Sequence, residues 1–283
     1  MGLLALLGLD ALIVWLVFTR PVDGVSFVGG VVVLCSLPII AYVGFRTIGL
    51  FTLEYWVDRD AVTVIWAFTR QIIPLTSIQH FVLNPDPGQA SRPRWWHWPC
   101  SERSRRQHRL LGVINCYATA PLSQQVVMMT ANEGFSVSPR DMKGFLDAVQ
   151  TRYALGSARP LRPELIRPPV WTWPLWRDRV AMTLIGIGLV AVLVMFGILC
   201  FRFPSLSSDL PLHFNVNGVP DRIAPKANLF ALPIIGLIAW LLNLGAGIWI
   251  YRRVQRGGAY LLWAGSLVVQ VIAGLALINL MRW

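Results

Sequence analysis

Histidine, cysteine and acidic residues are scarce in this 283-residue chain, and each shortage argues against a class of site. The chain has four His, four Cys and fourteen Asp or Glu residues. It contains no His-Glu-x-x-His pair, Walker phosphate loop, dinucleotide-binding glycine pattern or Ser-centred nucleophile elbow. Cys35 and Cys200 lie in hydrophobic runs, and the cysteine spacing is not that of a disulfide framework. The sequence therefore predicts a protein that is not an enzyme and that holds neither a cofactor nor a metal.

Four residues of the middle of the chain could be written as zinc ligands: His97, Cys100, His108 and Cys116. Their spacing, His-x2-Cys-x7-His-x7-Cys, matches no common zinc arrangement. Cys116 also lies in an apolar, strand-like run. The sequence therefore gives little support to a zinc site.

Hydrophobic sequence is abundant: 55% of the residues are hydrophobic, and the mean hydropathy is +0.56. Five runs approach the ~20 residues that a helix needs to cross a bilayer. They occupy residues 2–18, 25–45, 180–201, 229–250 and 260–281. The first run has neither a basic n-region nor a small-x-small cleavage site, so we interpret it as a retained helix. Asp10 within it is a functional candidate, but the favoured interpretation is a tilted helix whose acid faces its neighbours.

Basic residues are distributed unevenly along the chain. Seventeen of the twenty-five Lys and Arg lie between Arg46 and Arg179, and three more Arg lie at 252–256. Cytoplasmic segments that flank membrane helices are enriched in Lys and Arg. This distribution predicts five spans, a cytoplasmic N-terminus, a cytoplasmic middle domain and an outer loop at residues 202–228.

The middle of the chain is predicted to be rich in β-strands and to end in one helix. A hairpin is expected at residues 51–68, and further strands at 72–75, 78–83, 110–117, 125–130 and 135–137. A polar, Pro-rich loop is expected at 84–108. Ser138 is a good N-cap and Pro139 suits a first helical turn. The apolar residues that recur at helical spacing after them are Met142, Phe145, Leu146 and Val149.

These elements define the predicted fold class: an integral membrane α-helical protein with about five spans and an inserted cytoplasmic β-rich domain closed by a helix. Residues 1–49 form a helical hairpin and residues 50–155 the β-rich domain. A linker rich in Pro and Trp follows at 156–178, and we expect it to be extended and semi-rigid. A three-helix membrane domain occupies residues 179–283.

Three stretches of the middle domain resemble the bacterial pleckstrin-homology-like (PH-like) domains that are attached to membrane helices. They are the hairpin at 51–68, "RQIIPLTSIQ" at 70–79 and "GFSVSPRDMKGFLDAV" at 134–149. The resemblance covers about residues 50–153 and leaves the loop at 84–108 unmatched. It implies a seven-stranded, barrel-like sandwich with a capping helix. A domain of this kind contacts proteins or lipid surfaces. It does not imply phosphoinositide binding.

The outer loop carries a second resemblance. "LPLHFNVNGVPDRIAPK" at 210–226 is similar to the loop of a domain-of-unknown-function family in bacterial membrane proteins, which includes immunity and signalling proteins of the Sdp type. In that family too the loop lies between two membrane helices. The resemblance covers about residues 180–250 and implies a bacterial plasma-membrane protein.

Polar residues of several kinds are concentrated in that outer loop: His213, Asn215, Asn217, Asp221, Arg222 and Lys226. A turn at Asn217-Gly218 and two prolines predict an ordered loop. Such a loop could bind a peptide or a small ligand. The alternative is a structural cap on the helix ends, in which Asp221 pairs with Arg222 or Lys226 and His213 bonds a backbone carbonyl.

Aromatic and basic residues share one predicted loop of the middle domain: Trp95, Trp96, Trp98, Arg103, Arg105, Arg106 and Arg109. Trp favours the headgroup region, and each Arg near an anionic surface contributes about 1 kcal/mol. A membrane-surface contact and a solvated loop are the two main hypotheses. Nucleic acid, the third, is not a predicted partner.

The end of the linker carries a second aromatic group: Trp171, Trp173 and Trp176, followed by Arg177 and Arg179. Their position directly before a predicted span is typical of an interfacial anchor. Asn243, Gln270 and Asn279 are polar positions within spans, and hydrogen bonds between helices explain them.

The sequence as a whole predicts a sensor, adaptor or accessory subunit whose PH-like domain contacts a protein or a lipid surface. The expected partners are the bilayer and another membrane or cytoplasmic protein. The alternative is a transporter-like or membrane-enzyme component that uses Asp10, His213 and the polar span residues.

Overall fold

The structure, a computed structural model, describes residues 2–91, 102–156, 159–214, 220–253 and 255–282. At residues 102–103, 211–214 and 220–222 it describes the backbone alone. The chain divides into two compact units. The helical unit comprises Met1–Pro38 and Trp173–Trp283, and the β-rich unit comprises Ile39–Thr172. We describe each unit by itself.

Six α-helices lie in the described residues: α1 (Gly2–Thr19), α2 (Gly24–Phe51), α3 (Met142–Ala154), α4 (Arg179–Arg202), α5 (Ala231–Arg252) and α6 (Arg256–Leu280). All except α3 are long and apolar enough to cross a bilayer. The prediction of a multi-pass membrane protein with five spans is therefore confirmed.

Aromatic rings rest against glycines where α4, α5 and α6 pack together. The indole of Trp240 in α5 covers Gly188 in α4 and donates its Nε1–H to the carbonyl of Ile185, 3.1 Å away. The indole of Trp263 in α6 likewise covers Gly247 in α5. Small residues let membrane helices approach closely, and these contacts replace the hydrophobic driving force that lipid does not supply.

The polar residues inside the helical unit bond to neighbouring helices. Asp10 in α1 is nearly buried, and its carboxylate accepts a hydrogen bond from the hydroxyl of Ser36 in α2. Gln270 in α6 is buried and donates to the carbonyl of Gly188, 3.0 Å away. Asp10 therefore faces a neighbouring helix, as the favoured interpretation of the sequence had it.

The β-rich unit contains nine described strands: β1 (Glu54–Val57), β2 (Ala61–Trp66), β3 (Thr69–Pro74), β4 (His80–Leu83), β5 (Glu102–His108), β6 (Gly112–Ala118), β7 (Val126–Met129), β8 (Gly134–Val137) and β9 (Glu164–Ile166). One sheet has the order β1-β2-β3-β9, and the other has the order β4-β7-β8-β6-β5. Neighbouring strands are antiparallel except β6 and β8. Buried residues of both sheets and of α3 form one core, among them Val62, Ile73, Met128, Phe135 and Phe145.

Within the β-rich unit, two strands lie where the sequence predicted none. The last seven residues of the polar loop expected at 84–108 form β5. This strand pairs with β6 from Glu102↔Ala118 to His108↔Gly112. The linker was expected to be extended, and three of its residues form β9 by pairing with β3. The residues that the resemblance covers thus contain eight described strands, where it implied seven, and β9 is a ninth strand of the unit that lies outside them.

The start of α3 also differs from the prediction. Ser138 is not the N-cap, because the helix begins four residues later and Asp141 caps it. The Ser138 hydroxyl instead accepts the backbone N–H of Thr119, 2.9 Å away. Its own N–H donates to the oxygen of Tyr55, whose hydroxyl donates to the carbonyl of Tyr117 at 2.6 Å. Ser138 therefore serves to join strand ends, and burial raises the pKa of the Tyr55 hydroxyl.

Two glycines of α4 allow a matched test of the helix packing. A Cβ on Gly188 would lie 2.5 Å from the Trp240 ring, whereas a Cβ on Gly186 would meet no atom within 4 Å. We expect Gly188→Ala to destabilise the protein by about 1–3 kcal/mol, because the bonded indole must move. Gly186→Ala should leave the unfolding temperature of the full chain in detergent unchanged or slightly higher. Equal effects of the two substitutions would contradict the packing described here.

The β10 and β11 strands of the helical unit form a hairpin between α4 and α5: β10 (Asp209–Phe214) and β11 (Pro220–Pro225). The buried side chain of Leu210 on β10 packs in a cluster with Leu229, Leu277 and Met281. The described part of the predicted outer loop is therefore ordered and is anchored on α6.

Candidate functional site

Helix α3 forms because its N-terminus is capped and one of its faces is apolar. The Asp141 carboxylate accepts the N–H of Gly144, 3.0 Å away, which satisfies one of the free donors of the first turn. A Cβ on Gly144 would lie 2.4 Å from that carboxylate, so glycine makes the cap fit. Phe145 and Val149 are buried in the core of the β-rich unit. The next turn of the same face is left at the surface.

An apolar groove of about 390 Å³ lies beside this exposed turn of α3. Its lining comes from α3, from β4 and from the turn before β4: Leu75, Ile78, Gln79, Phe81, Leu146, Val149, Gln150 and Tyr153. None of these side chains is charged. Tyr153 is 62% exposed at one end of the groove. The groove can therefore take up apolar side chains but offers no group for acid–base chemistry at neutral pH.

Strand β4 gives the groove a second feature, an open sheet edge. It is the terminal strand of its sheet, and among the described residues it pairs only with β7. Phe81 and Leu83 lie on the face of the sheet that packs against the core, yet Leu83 is 50% exposed. An unpaired edge presents a row of backbone N–H and C=O groups that an extended chain can bond. The groove and the open edge therefore lie side by side, because Phe81 of β4 is part of the groove lining.

A second cleft of about 470 Å³ lies elsewhere in the β-rich unit and is polar. Gln71, Arg105 and Arg167 contribute to its lining, and Asn115 donates to the carboxylate of Glu133 across 2.7 Å. Gln71 also accepts a hydrogen bond from the hydroxyl of Tyr117, 3.2 Å away. Four of the lining residues thus bond one another in pairs, and Arg105 and Arg167 are the basic groups of the cleft.

The predicted basic loop is not a single surface. Residues 103, 105 and 106 lie on strand β5, where successive side chains point to opposite faces of the sheet. Arg106 is buried, 6% exposed, whereas Arg105 and Arg109 are exposed. Only the backbone of Arg103 is described, and Trp95, Trp96 and Trp98 lie outside the described residues. The prediction that these basic residues share one loop is therefore wrong, because pairing with β6 makes most of that stretch a strand.

His108 at the end of β5 is buried, and its Nε2 lies 3.2 Å from the carbonyl oxygen of Asp86. His97 and Cys100, two of the four residues weighed as zinc ligands, lie outside the described residues. Within the part of the chain that is described, no three His, Cys, Asp or Glu side chains meet in a way that could hold a metal ion.

The three tryptophans predicted as one interfacial anchor have different surroundings. The Trp171 ring lies 4.8 Å from the Phe45 ring, edge to face, within the β-rich unit. The Trp173 ring lies 5.3 Å from the guanidinium of Arg252 within the helical unit. Trp176 is 54% exposed. Trp173 and Trp176 precede α4 directly, at the level where tryptophan favours the membrane–water boundary.

Three of the residues predicted to bind in the outer loop lie on the strands of the β10–β11 hairpin. His213 and Arg222 are register partners and Asp221 lies on β11, but only their backbones are described. Asn215 and Asn217 lie outside the described residues. Ligand binding by this loop therefore stays a prediction.

Lys226, the last member of that group, has a structural role. Its ammonium donates to the carbonyls of Phe203 and Leu206, at 3.0 and 3.1 Å, and lies 4.7 Å from the Phe203 ring. These carbonyls follow the C-terminus of α4, where backbone acceptors have no helical partner and a cation is favourable. Lys226 therefore joins the base of the hairpin to the end of α4. The pairing of Asp221 with Arg222 or Lys226 that the cap hypothesis named stays a prediction.

The sequence comparisons agree with both resemblances. Residues 53–153 match the model of a family described as a bacterial PH domain, and residues 190–237 match that of a domain of unknown function, DUF1648. No curated protein and no solved structure matches the chain. The β-rich unit thus contains a PH-like domain, and the β10–β11 hairpin lies within the second matched segment.

Sequence reasoning did not find the groove beside α3. The helical spacing of the apolar residues is visible in the sequence, but it does not show which of them stay at the surface. The signal that could have found it is Tyr153, which continues the row of Phe145 and Val149 by one turn beyond what the core buries. Its partner across the groove, Phe81, is 72 positions away in the chain, so no local pattern connects them.

The role of Lys226 can be tested by removing its charge. Lys226→Met should lower the free energy of unfolding by on the order of 2 kcal/mol, since two carbonyls lose a charged donor. The measurement is thermal unfolding of the full chain in detergent. Arg282→Gln is the control: it removes an exposed cation near the C-terminus and should change the free energy of unfolding little. An unchanged Lys226→Met protein would contradict the cap hypothesis.

Proposed function

We propose that this protein is a non-enzymatic membrane adaptor whose PH-like domain binds an extended, apolar segment of a partner protein in the groove between α3 and β4. The observation that carries the proposal is the coincidence of a 390 Å³ apolar groove with an open strand edge. Strand addition to a sheet edge is a common way for a domain to recognise a peptide.

The two parts of this site supply different contributions. A segment added to β4 would form main-chain hydrogen bonds along the strand. Every second side chain of the added segment would point toward α3. There it would meet Leu146, Gln150 and Tyr153, which are at least partly exposed. The segment we expect has bulky apolar residues at alternate positions and no charge at those positions.

We further propose that the PH-like domain lies in the cytoplasm of a bacterial cell and that the N-terminus lies on the same side. Support comes from the Lys and Arg concentrated in and around this domain and at the turn between α5 and α6. Membrane helices precede and follow the domain in the chain. Partners bound to the membrane are therefore favoured over freely diffusing ones.

The polar residues of the membrane spans support the adaptor over the transporter-like alternative. Asp10 is bonded to Ser36, and Gln270 is bonded to Gly188. Asn243 donates to the carbonyl of Ala239 in its own helix. The first two contacts are those expected of helix packing, whereas Asn243 bonds within α5 and not to another helix as the sequence predicted.

A reporter fusion tests the orientation. A reporter active only in the cytoplasm should give signal when it is fused after Tyr153 and none when it is inserted at residues 210–226. The expected difference follows from the charge distribution. A reporter active only outside the cytoplasm should give the reverse pattern. If the cytoplasmic reporter instead gave signal at residues 210–226 and none after Tyr153, the proposed orientation would be overturned.

A peptide library tests the groove. Random peptides displayed on phage are selected against the full chain in nanodiscs, with empty nanodiscs as counter-selection. We expect enriched peptides to carry apolar residues at alternate positions. Gln150→Arg places a charge in the apolar groove and should weaken binding about tenfold or more, which corresponds to ~1.4 kcal/mol.

Thr151→Arg is the matched control, since Thr151 is an exposed neighbour on α3 that does not line the groove. It introduces the same charge and should leave peptide binding intact. The proposal fails if no peptide is enriched over empty nanodiscs, or if the selected peptides bind both variants equally well.

A further inference from the structure

A pocket of about 290 Å³ lies at one end of the helical unit, where the 3-10 turn Pro174–Arg177 precedes α4 and a short turn joins α5 to α6. Its lining includes Trp173, Leu175, Ile248, Tyr251, Arg252 and Arg256. Three membrane spans end or begin at this level, at Arg179, Arg252 and Arg256. The pocket therefore opens at the depth of the lipid headgroups.

Two arginines of the lining are held against aromatic rings. The guanidinium carbon of Arg252 lies 5.3 Å from the centre of the Trp173 ring, and that of Arg256 lies 5.8 Å from the Tyr251 ring. Cation–π contact engages the face of a guanidinium. The N–H donors at its edge can still bind an anion, and their fork fits a phosphate. The pocket thus presents two pre-positioned phosphate donors.

Asp178 is a carboxylate close enough to Arg256 to feel its charge, and hydrogen bonds already satisfy it. One of its oxygens accepts from the hydroxyls of Tyr251 and Tyr260, and the other accepts the N–H of Ala181 at 3.1 Å. The bond from Tyr260 is the chief cause that holds the pKa of Asp178 below its usual range, and the charge of Arg256 adds to it. Asp178 offsets one positive charge, while residues 252–256 carry three. A net positive charge remains for a ligand.

The rest of the lining is apolar. Leu175 is 5% exposed, and Ile248 lies one turn inside the span from Arg252. A ligand that suits both parts has an anionic phosphate at one end and an apolar portion that continues toward the bilayer core. We infer that this pocket binds the phosphate headgroup of an anionic phospholipid, with Arg252 and Arg256 on the phosphate and Trp173 beside the glycerol region. The site is independent of the groove beside α3.

Ligand-induced stabilisation of the full chain tests the site. The purified protein in neutral detergent is heated with increasing amounts of dioctanoyl phosphatidylglycerol, dioctanoyl phosphatidylcholine or inorganic phosphate. A ligand that binds only the folded state raises the unfolding temperature with its concentration. We expect a saturable rise with phosphatidylglycerol and none with phosphatidylcholine. An equal rise with inorganic phosphate would overturn the assignment to a lipid.

Two variant proteins locate the effect. Arg252→Gln combined with Arg256→Gln should weaken the apparent affinity for phosphatidylglycerol about tenfold or more. Arg253→Gln is the matched control, because its guanidinium lies over Trp249, 4.3 Å from the ring centre, outside the pocket lining. It should keep most of the rise. If both proteins lost the phosphatidylglycerol-induced rise equally, the lipid would be attracted to the basic turn in general, and the assignment of a specific site would be overturned.

A conservative variant covers the case in which the double Gln protein does not insert. Arg252→Lys combined with Arg256→Lys keeps the charge that orients the helices but removes the planar fork that binds phosphate at two points. We expect it to fold and to bind phosphatidylglycerol less tightly than the wild-type protein. Native mass spectrometry should then find fewer phosphatidylglycerol molecules retained by this variant. Undiminished retention would count against a phosphate held by the two guanidiniums.

Discussion

One carboxylate, Asp178, joins the three C-terminal membrane helices at one end. It caps α4 through the N–H of Ala181 and accepts the hydroxyls of Tyr251 at the end of α5 and Tyr260 near the start of α6. Along the rest of their length these helices are held by clusters of apolar side chains, by rings on glycines and by single polar bonds. The position of the basic turn, of the pocket beside it and of the aromatic residues before α4 all depend on this one junction.

The membrane architecture could be predicted from the sequence because its signal is local and redundant. A run of about twenty apolar residues has few alternatives in a bilayer, since each backbone donor must find an acceptor within its own helix. The order of strands followed by one helix was also visible, because alternation and helical spacing are short-range patterns. Residues 62–66 and 126–129 lie in strands for this reason.

The parts that were missed depend on distant partners. The sequence of β5, "ERSRRQH", has no hydrophobic alternation, and it forms a strand because β6 supplies the pairing. Strand β9 is three residues long, too short to leave a pattern in a segment rich in proline. The groove and the basic pocket each bring together residues more than 60 positions apart, such as Phe81 with Tyr153 and Trp173 with Arg252. No spacing within the chain encodes such pairs.

If the groove binds a partner segment as proposed, the open edge of β4 bears on how that partner could change during evolution. Main-chain hydrogen bonds to a strand edge depend little on the sequence of the bound segment. They therefore contribute affinity but little specificity. Choice among segments then rests on a few side chains of α3, and most of these contribute little to the core. Substitution at positions such as 150 and 153 could redirect the domain to a new partner while the fold stays intact. Selectivity and foldability are in this way encoded by separate residues of the same helix.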